Sequence, residues 1–124
     1  IKDTDCVYHL GDVVMNRRYL SIMEKLNGKK YLILGNHDVF SHEDYLKYFR
    51  RLHGSLKLDR LILSHIPIHP DCIPHWALGC VHGHIHAQLI SDHRYYNACV
   101  EHTNYAPVSV EQVVNELTAR RAEA

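Results

Sequence analysis

Lys30-Tyr31-Leu32-Ile33-Leu34-Gly35-Asn36-His37-Asp38 runs an apolar, strand-like stretch straight into a glycine and three side chains rich in oxygen and nitrogen. Working back from it, Asn27-Gly28 is a stop signal, and Tyr19, Ile22, Met23 and Leu26 recur at i, i+3, i+4 and i+7. This spacing predicts a helix over 17–27. Ahead of that helix, Cys6-Val7-Tyr8-His9-Leu10 reads as a buried strand that stops at Gly11-Asp12. Working forward, Ser41 with Asp44 offers an N-cap for a short helix carrying Tyr45, Leu46 and Phe49 on one side. Strand, helix, strand alternation places the chain in the α/β class.

In the middle of the chain, from Leu56, the character changes. Leu56-Lys57-Leu58 and Leu61-Ile62-Leu63 flank Asp59-Arg60, a two-residue connection suited to a hairpin although it lacks the usual glycine. From His65 to Pro74 the prolines Pro67, Pro70 and Pro74 enforce an irregular loop. Gly79–His82 and Tyr95–Val100 read as two further strands. Ser109 and Gln112 form a capping-box pattern ahead of a helix whose apolar stripe is Val110, Val113, Val114 and Leu117. There is no repeat and no low-complexity tract, so residues 1–124 are taken as one domain.

Composition narrows the function. The 14 basic and 14 acidic residues cancel, and the pairs Arg17-Arg18, Arg50-Arg51 and Arg120-Arg121 are spread along the chain. Such a pattern disfavours a nucleic-acid binder, leaving nucleic acid in play only as a substrate. Four cysteines, Cys6, Cys72, Cys80 and Cys99, sit in or beside apolar stretches without framework spacing. Buried reduced thiols and a cytoplasmic setting are the expectation. No segment reads as a transmembrane helix or signal peptide, so no membrane partner is expected. Histidine is abundant at 12 residues, three of them within His82-Gly83-His84-Ile85-His86.

The chemistry lies at strand ends. Asp12 follows a glycine directly after a strand, a place from which a short carboxylate can reach out of a sheet edge and bridge two cations; a turn or helix start has the same look. Asn36, His37 and Asp38 offer an amide oxygen, an imidazole and a carboxylate in succession. Asn36 can ligate metal while His37 meets substrate and Asp38 holds the second imidazole nitrogen, favouring its protonated form. An Asn-His-Asp turn with local side-chain to backbone bonds is the plainer alternative. His84 and His86, two residues apart, would project to one side of extended backbone, and His65 adds an imidazole after Leu61-Ile62-Leu63-Ser64. Taken together, Asp, Asn and three His at strand ends are a donor set for divalent cations.

These residues resemble the calcineurin-like metallophosphoesterases, particularly the small bacterial and phage members. The family pattern runs Asp-x-His, Gly-Asp, Gly-Asn-His-Asp/Glu, a lone His, then Gly-His-x-His, and all but the first occur here in order. The resemblance implies a layered α/β/β/α sandwich and hydrolysis of phosphoesters, with phosphodiesters favoured, through a dinuclear metal centre and a metal-bound hydroxide. It implies that Asp12 bridges two ions, that Asn36, His65 and His84 complete one site, and that His86 belongs to the other. His37, supported by Asp38, would protonate the leaving oxygen. Manganese suits these oxygen and nitrogen donors, with iron, zinc, nickel or magnesium also compatible. The substrate would be a small-molecule phosphoester or a nucleotide. His69–Ala77, with Trp76, is the candidate substrate-facing loop, although Trp76 could equally be a core anchor.

The Asp-x-His motif is absent from the ten residues before Gly11. The expectation is therefore an N-terminally truncated domain lacking the first strand and helix, with one ion site short of ligands and weak hydrolysis by the chain as written. Two other readings follow: a non-catalytic domain binding metal through a degenerate site, and a structural zinc module built from Cys72, His75, Cys80 and His82.

Overall fold

Parallel strands need long crossovers, and the first half of the chain supplies two. The computed structural model describes all 124 residues, which group into two compact units, Ile1–Gly54 and Ser55–Ala124. In the first unit, β1 (Cys6–His9), β2 (Lys29–Ile33) and β3 (Arg51–His53) form a parallel sheet in the order β1-β2-β3. Tyr8 pairs with Tyr31, and Leu32 with Leu52. One crossover carries a 3₁₀ helix, Arg17–Lys25, and the other carries α1 (His42–Leu46).

The first crossover corrects the sequence expectation in two ways. The helix is 3₁₀ rather than α, and of the expected stripe only Met23 is buried; its buried partner is Leu20, while Tyr19, Ile22 and Leu26 are each at least half exposed. A three-residue period brings i and i+3 onto one edge, which selects Leu20 and Met23. They pack with Leu32, Tyr45 and Phe49, with Val13, Val14, Leu34 and Phe40 partly buried around them. The second helix behaves as read at its start, where the Ser41 hydroxyl accepts the Asp44 N–H at 3.3 Å, and buries Tyr45, but Leu46 is half exposed. β3 was not anticipated. Arg51-Leu52-His53 carries one apolar residue, and its extended form comes from pairing with β2 rather than from local propensity.

In the second unit, β4 (Ser55–Leu58), β5 (Leu61–Ser64), β6 (Gly79–His82) and β7 (Tyr95–Asn97) form a mixed sheet in that order. β4 runs antiparallel to β5, and the remaining pairs are parallel. The β4–β5 hairpin manages without glycine because Asp59 takes the left-handed backbone itself, at φ +56°, a conformation that Asp tolerates better than most residues. β7 is shorter than Tyr95–Val100 because the Asn97 side chain turns the chain, its Oδ1 accepting the Cys99 N–H at 2.9 Å. A 3₁₀ turn, Pro70–Cys72, lies within the proline-rich loop.

The last element, α2 (Val110–Glu123), opens with the expected reciprocal capping box between Ser109 and Gln112. Its buried stripe is narrower than read, since Val113 and Leu117 are buried whereas Val110 is exposed. Arg120 ties α2 to the sheet by donating to the Tyr95 carbonyl at 2.8 Å. The cysteines are free, but only Cys80 is fully buried; Cys6 and Cys72 are exposed, because each lies at an element edge rather than on an inward face. The architecture is thus mixed α/β with two sheets.

Candidate metal-binding loops

In the first unit, the loops that follow β1 and β2 leave the carboxyl ends of adjacent parallel strands, the usual place for a ligand in an open α/β sheet. Gly11 turns the chain at φ +99°, and Asp12 continues in the left-handed region at φ +54°. Three backbone donors converge on Asp38: the N–H groups of Asp12 and Gly35 each reach Oδ2 at 2.7 Å, and that of Val13 reaches Oδ1 at 2.9 Å. In return the Asp12 carboxylate accepts the His37 N–H at 2.9 Å. The two loops are therefore laced together in both directions across 25 or 26 residues of chain. Where the sequence reading sets Asp38 on the imidazole of His37, the structure commits both its oxygens to backbone donors.

Packing anchors the lacing. Val13 and Val14 lie against the unit's core, and beyond the second loop the Phe40 N–H donates to the Tyr45 hydroxyl at 3.2 Å while the two rings stack. Asn36 and His37 sit at the exposed tip and Asp12 is partly buried. Arg17 pairs with Asp44 at 2.8 Å and holds its carboxyl below the ordinary range.

In the second unit, His65 directly follows β5 and is buried, whereas His84, two residues past β6, is exposed. The Gly83 N–H donates to the His65 carbonyl at 2.9 Å, and the His65 and His84 rings face each other edge-on with centroids 5.1 Å apart. The expectation of extended backbone through His84-Ile85-His86 fails. Both histidines have positive φ, +70° and +50°, so the period-2 argument does not apply and their side chains part company. His86 is exposed and donates from Nδ1 to Glu101 at 3.2 Å. Glu101 is held below its ordinary pKa by its own backbone N–H first and by His86 second. The His86 carbonyl accepts from Asn97 Nδ2 at 2.8 Å and from His102 Nε2 at 2.9 Å.

Asn97, Glu101, His102 and His82 were not singled out for these supporting positions. For His82 and Asn97 the one available signal is a polar residue ending a strand, whereas Glu101 and His102 lie in the turn beyond β7 and carry no such signal. For the zinc alternative, no three of Cys72, His75, Cys80 and His82 come together as a ligand group; Cys80 lies against the Ser64 hydroxyl at 3.4 Å, and Cys72 and His75 are exposed. Trp76 is about one-third exposed, with the Lys57 ammonium 4.6 Å from its ring centroid.

The His65–His84 pair can be tested directly against a metal. Metal–nitrogen bonds of about 2.1 Å, with ring centroids about 1.2 Å further out, put two imidazoles sharing one ion at octahedral to tetrahedral angles roughly 4.6–5.3 Å apart. The observed 5.1 Å lies within that range. His65 and His84 each offer an imidazole nitrogen, a ligand atom of the right kind for such an ion.

Parallel strands that end in Gly-Asp, Gly-Asn-His-Asp and Gly-His-Ile-His loops define a metal-site class of α/β protein. The chain belongs to the calcineurin-like phosphoesterase family, whose model matches residues 1–116. The family is metal-dependent, in keeping with these donors. An uncharacterized protein of Methanocaldococcus jannaschii is 29% identical over 129 aligned positions, covering 92% of this chain and 66% of that protein. The chain thus spans just under two thirds of the length of that relative. A solved structure of a protein of unknown function from Aquifex aeolicus is similar at a TM-score of 0.66 and 26% identity, covering 93% of this chain and 77% of that one. No helix is long and apolar enough to cross a membrane.

Proposed function

We propose that the protein is a metal-dependent phosphoester hydrolase, with phosphodiesters, including nucleotide-type diesters, as its substrate class. The observation that carries this reading is the laced pair of loops, which presents Asp12 and Asn36-His37 at adjacent strand ends through three bonds to Asp38. Asp12, Asn36, His65 and His84 would hold one divalent ion, and Asp12 with His86 would contribute to a second. Bound ions would supply positive charge at the phosphate and lower the pKa of the attacking water. Oxygen and nitrogen donors without thiolate favour manganese over softer choices.

The chain's own part is to position and to move a proton. Asp12 has one oxygen fixed by the His37 N–H, so the carboxylate keeps one orientation. His37 is exposed at the loop tip, free to meet a phosphate from solvent and to give its proton to the departing oxygen. Asp38 contributes by holding the loop that carries His37. The stretch His69–Ala77 would face the leaving group, with Trp76 as an apolar wall.

The test is hydrolysis of an activated phosphodiester, bis(p-nitrophenyl) phosphate, by the whole protein in manganese. His37→Ala should lower kcat by about 10²-fold or more, the usual worth of a general acid, with metal content unchanged. Loss of metal from His37→Ala would make His37 a ligand instead. Metal binding without hydrolysis by the unsubstituted protein would overturn the reading in favour of a non-catalytic metal-binding domain.

A further inference from the structure

One buried imidazole has no part in the chemistry above. His82 ends β6, is wholly inaccessible to solvent, and stands edge-on to the Tyr95 ring with centroids 6.0 Å apart. Its Nδ1 lies 2.9 Å from the carbonyl oxygen of Gly83, the next residue. A carbonyl can only accept, so Nδ1 carries the proton and the neutral ring leaves Nε2 as a bare acceptor. That Nε2 is buried and has no hydrogen-bond partner. A leucine or phenylalanine would fill such a place without stranding a polar atom. What the imidazole adds over a hydrophobe is the Nδ1–H bond.

The Gly83 carbonyl that receives this bond also closes a very tight turn. It accepts the Ile85 N–H at 2.8 Å, a three-residue closure whose central residue is His84 at φ +70°. This is the rare, strained form of the γ-turn, adopted by a residue with a Cβ. Strained backbone persists only where its surroundings over-determine it, and here three bonds do so. The Gly83 N–H is held by the His65 carbonyl, while the Gly83 C=O is held by both Ile85 and His82. The peptide groups on either side of Gly83 are thereby fixed relative to His65, and the His84 ring is turned to stand 5.1 Å from the His65 ring.

We infer that His82 is a positioning residue: its Nδ1–H locks the Gly83 carbonyl so that the strained turn presents the His84 imidazole to the same metal ion as His65. The inference rests on the reading of His65 and His84 as ligands. It assigns His82 no ligand role and no contact with substrate. The consequence is that stability and metal affinity respond in opposite directions to two substitutions. His82→Leu removes the donor but fills the space and abolishes the stranded Nε2. His82→Asn keeps a donor near the place of Nδ1, since the asparagine amide nitrogen overlays it, but leaves the rest of the ring's volume empty.

Cobalt(II) titration of the whole protein, followed by its visible absorption, together with thermal unfolding of the metal-free form, separates the possibilities. Under the inference, His82→Leu unfolds at or above the wild-type temperature yet binds cobalt about 10-fold more weakly, the lower range for a residue that orients a ligand. His82→Asn unfolds earlier yet binds within about threefold of wild type, because the donor is kept. Wild-type cobalt affinity in His82→Leu, or an equal loss of affinity in both variants, would overturn it. His84→Ala serves as the separate check: if that variant binds cobalt as wild type does, the ligand reading itself fails, whatever His82 does.

Discussion

Asp38→Asn is the most economical way to ask whether the loops after β1 and β2 are held by a carboxylate clamp. In the wild type, Oδ2 serves the N–H groups of Asp12 and Gly35 at 2.7 Å each, and Oδ1 serves that of Val13 at 2.9 Å. The asparagine amide has one oxygen. Placed where Oδ2 was, it keeps two bonds without their charge, and its NH2 then faces the Val13 N–H, donor against donor. Hydrogen bonds to a charged group contribute about 1.5–3 kcal/mol each. Losing one and weakening two, in a partly buried site, should cost about 2–3 kcal/mol, and Asp38→Ala about 3–5 kcal/mol. With an unfolding entropy of about 2.1 cal/mol/K per residue, a chain of 124 residues shifts about 4 °C per kcal/mol. Thermal unfolding followed by circular dichroism should therefore fall by about 8–12 °C for Asp38→Asn, with faster hydrogen exchange at Asp12, Val13 and Gly35. A Tm within about 2 °C of wild type, with those amides as protected as before, would refute the clamp. Such a result with an altered pH dependence of turnover would return Asp38 to the imidazole of His37.

Two further outcomes follow from the second unit. Asp92 has its carboxyl lowered to about 2, by hydrogen bonds from the Arg94 guanidinium foremost and from the Arg94 N–H, against a burial cost in the other direction. A depressed folded-state pKa gives stability that is full above about 3.8 and lost as pH falls towards about 2. Discounted for partial exposure, the contribution is about 1–2 kcal/mol, so Asp92→Asn should flatten the acid limb of a urea-midpoint profile between those two values; an unchanged limb would show the pair to be inert. At Gly79, a Cβ would overlap the carbonyl oxygen of Arg94, a backbone atom fixed by the Cys80 N–H. Gly79→Ala should therefore lower the unfolding free energy measured by urea titration by about 3 kcal/mol or more, while Gly54→Ala, whose Cβ meets nothing within 4 Å, should change it by under about 0.5 kcal/mol.

What was legible in the sequence is what lies within a few residues of itself. Strands β1, β2, β5 and β6 announced themselves because short apolar runs stop at Gly-Asp, Gly-Asn, a Ser-His and a His-Gly step. The Ser109–Gln112 box was legible because both partners lie in one turn. The 3₁₀ helix was misread because Tyr19, Ile22, Met23 and Leu26 fit a 3.6-residue period on paper, whereas the face that is buried belongs to Leu20 and Met23. β3 was invisible for the complementary reason, since its order comes from β2. The same division runs through the candidate site. The donor residues could be named from contiguous motifs, but their orientation depends on bonds that join distant positions: Asp38 to Asp12 and Val13, Gly83 to His65, and Asn97 to the carbonyls of His86 and Gln88.

Backbone conformation is where this matters most. A Gly-His-Ile-His motif suggests two imidazoles side by side only if the chain stays extended, and both histidines instead occupy the left-handed region. Such conformations are unfavourable for residues bearing a Cβ, so no propensity could have foretold them. They are maintained from outside the motif, by His82 and the His65 carbonyl around His84, and by Asn97, Glu101 and His102 around His86. It follows that the separation of roles between His84 and His86, the first facing His65 and the second held by Glu101, belongs to the supporting residues rather than to the motif. Substitutions at Asn97 or Glu101 should accordingly disturb His86 and leave the His65–His84 pair in place, whereas substitution at His82 should do the reverse.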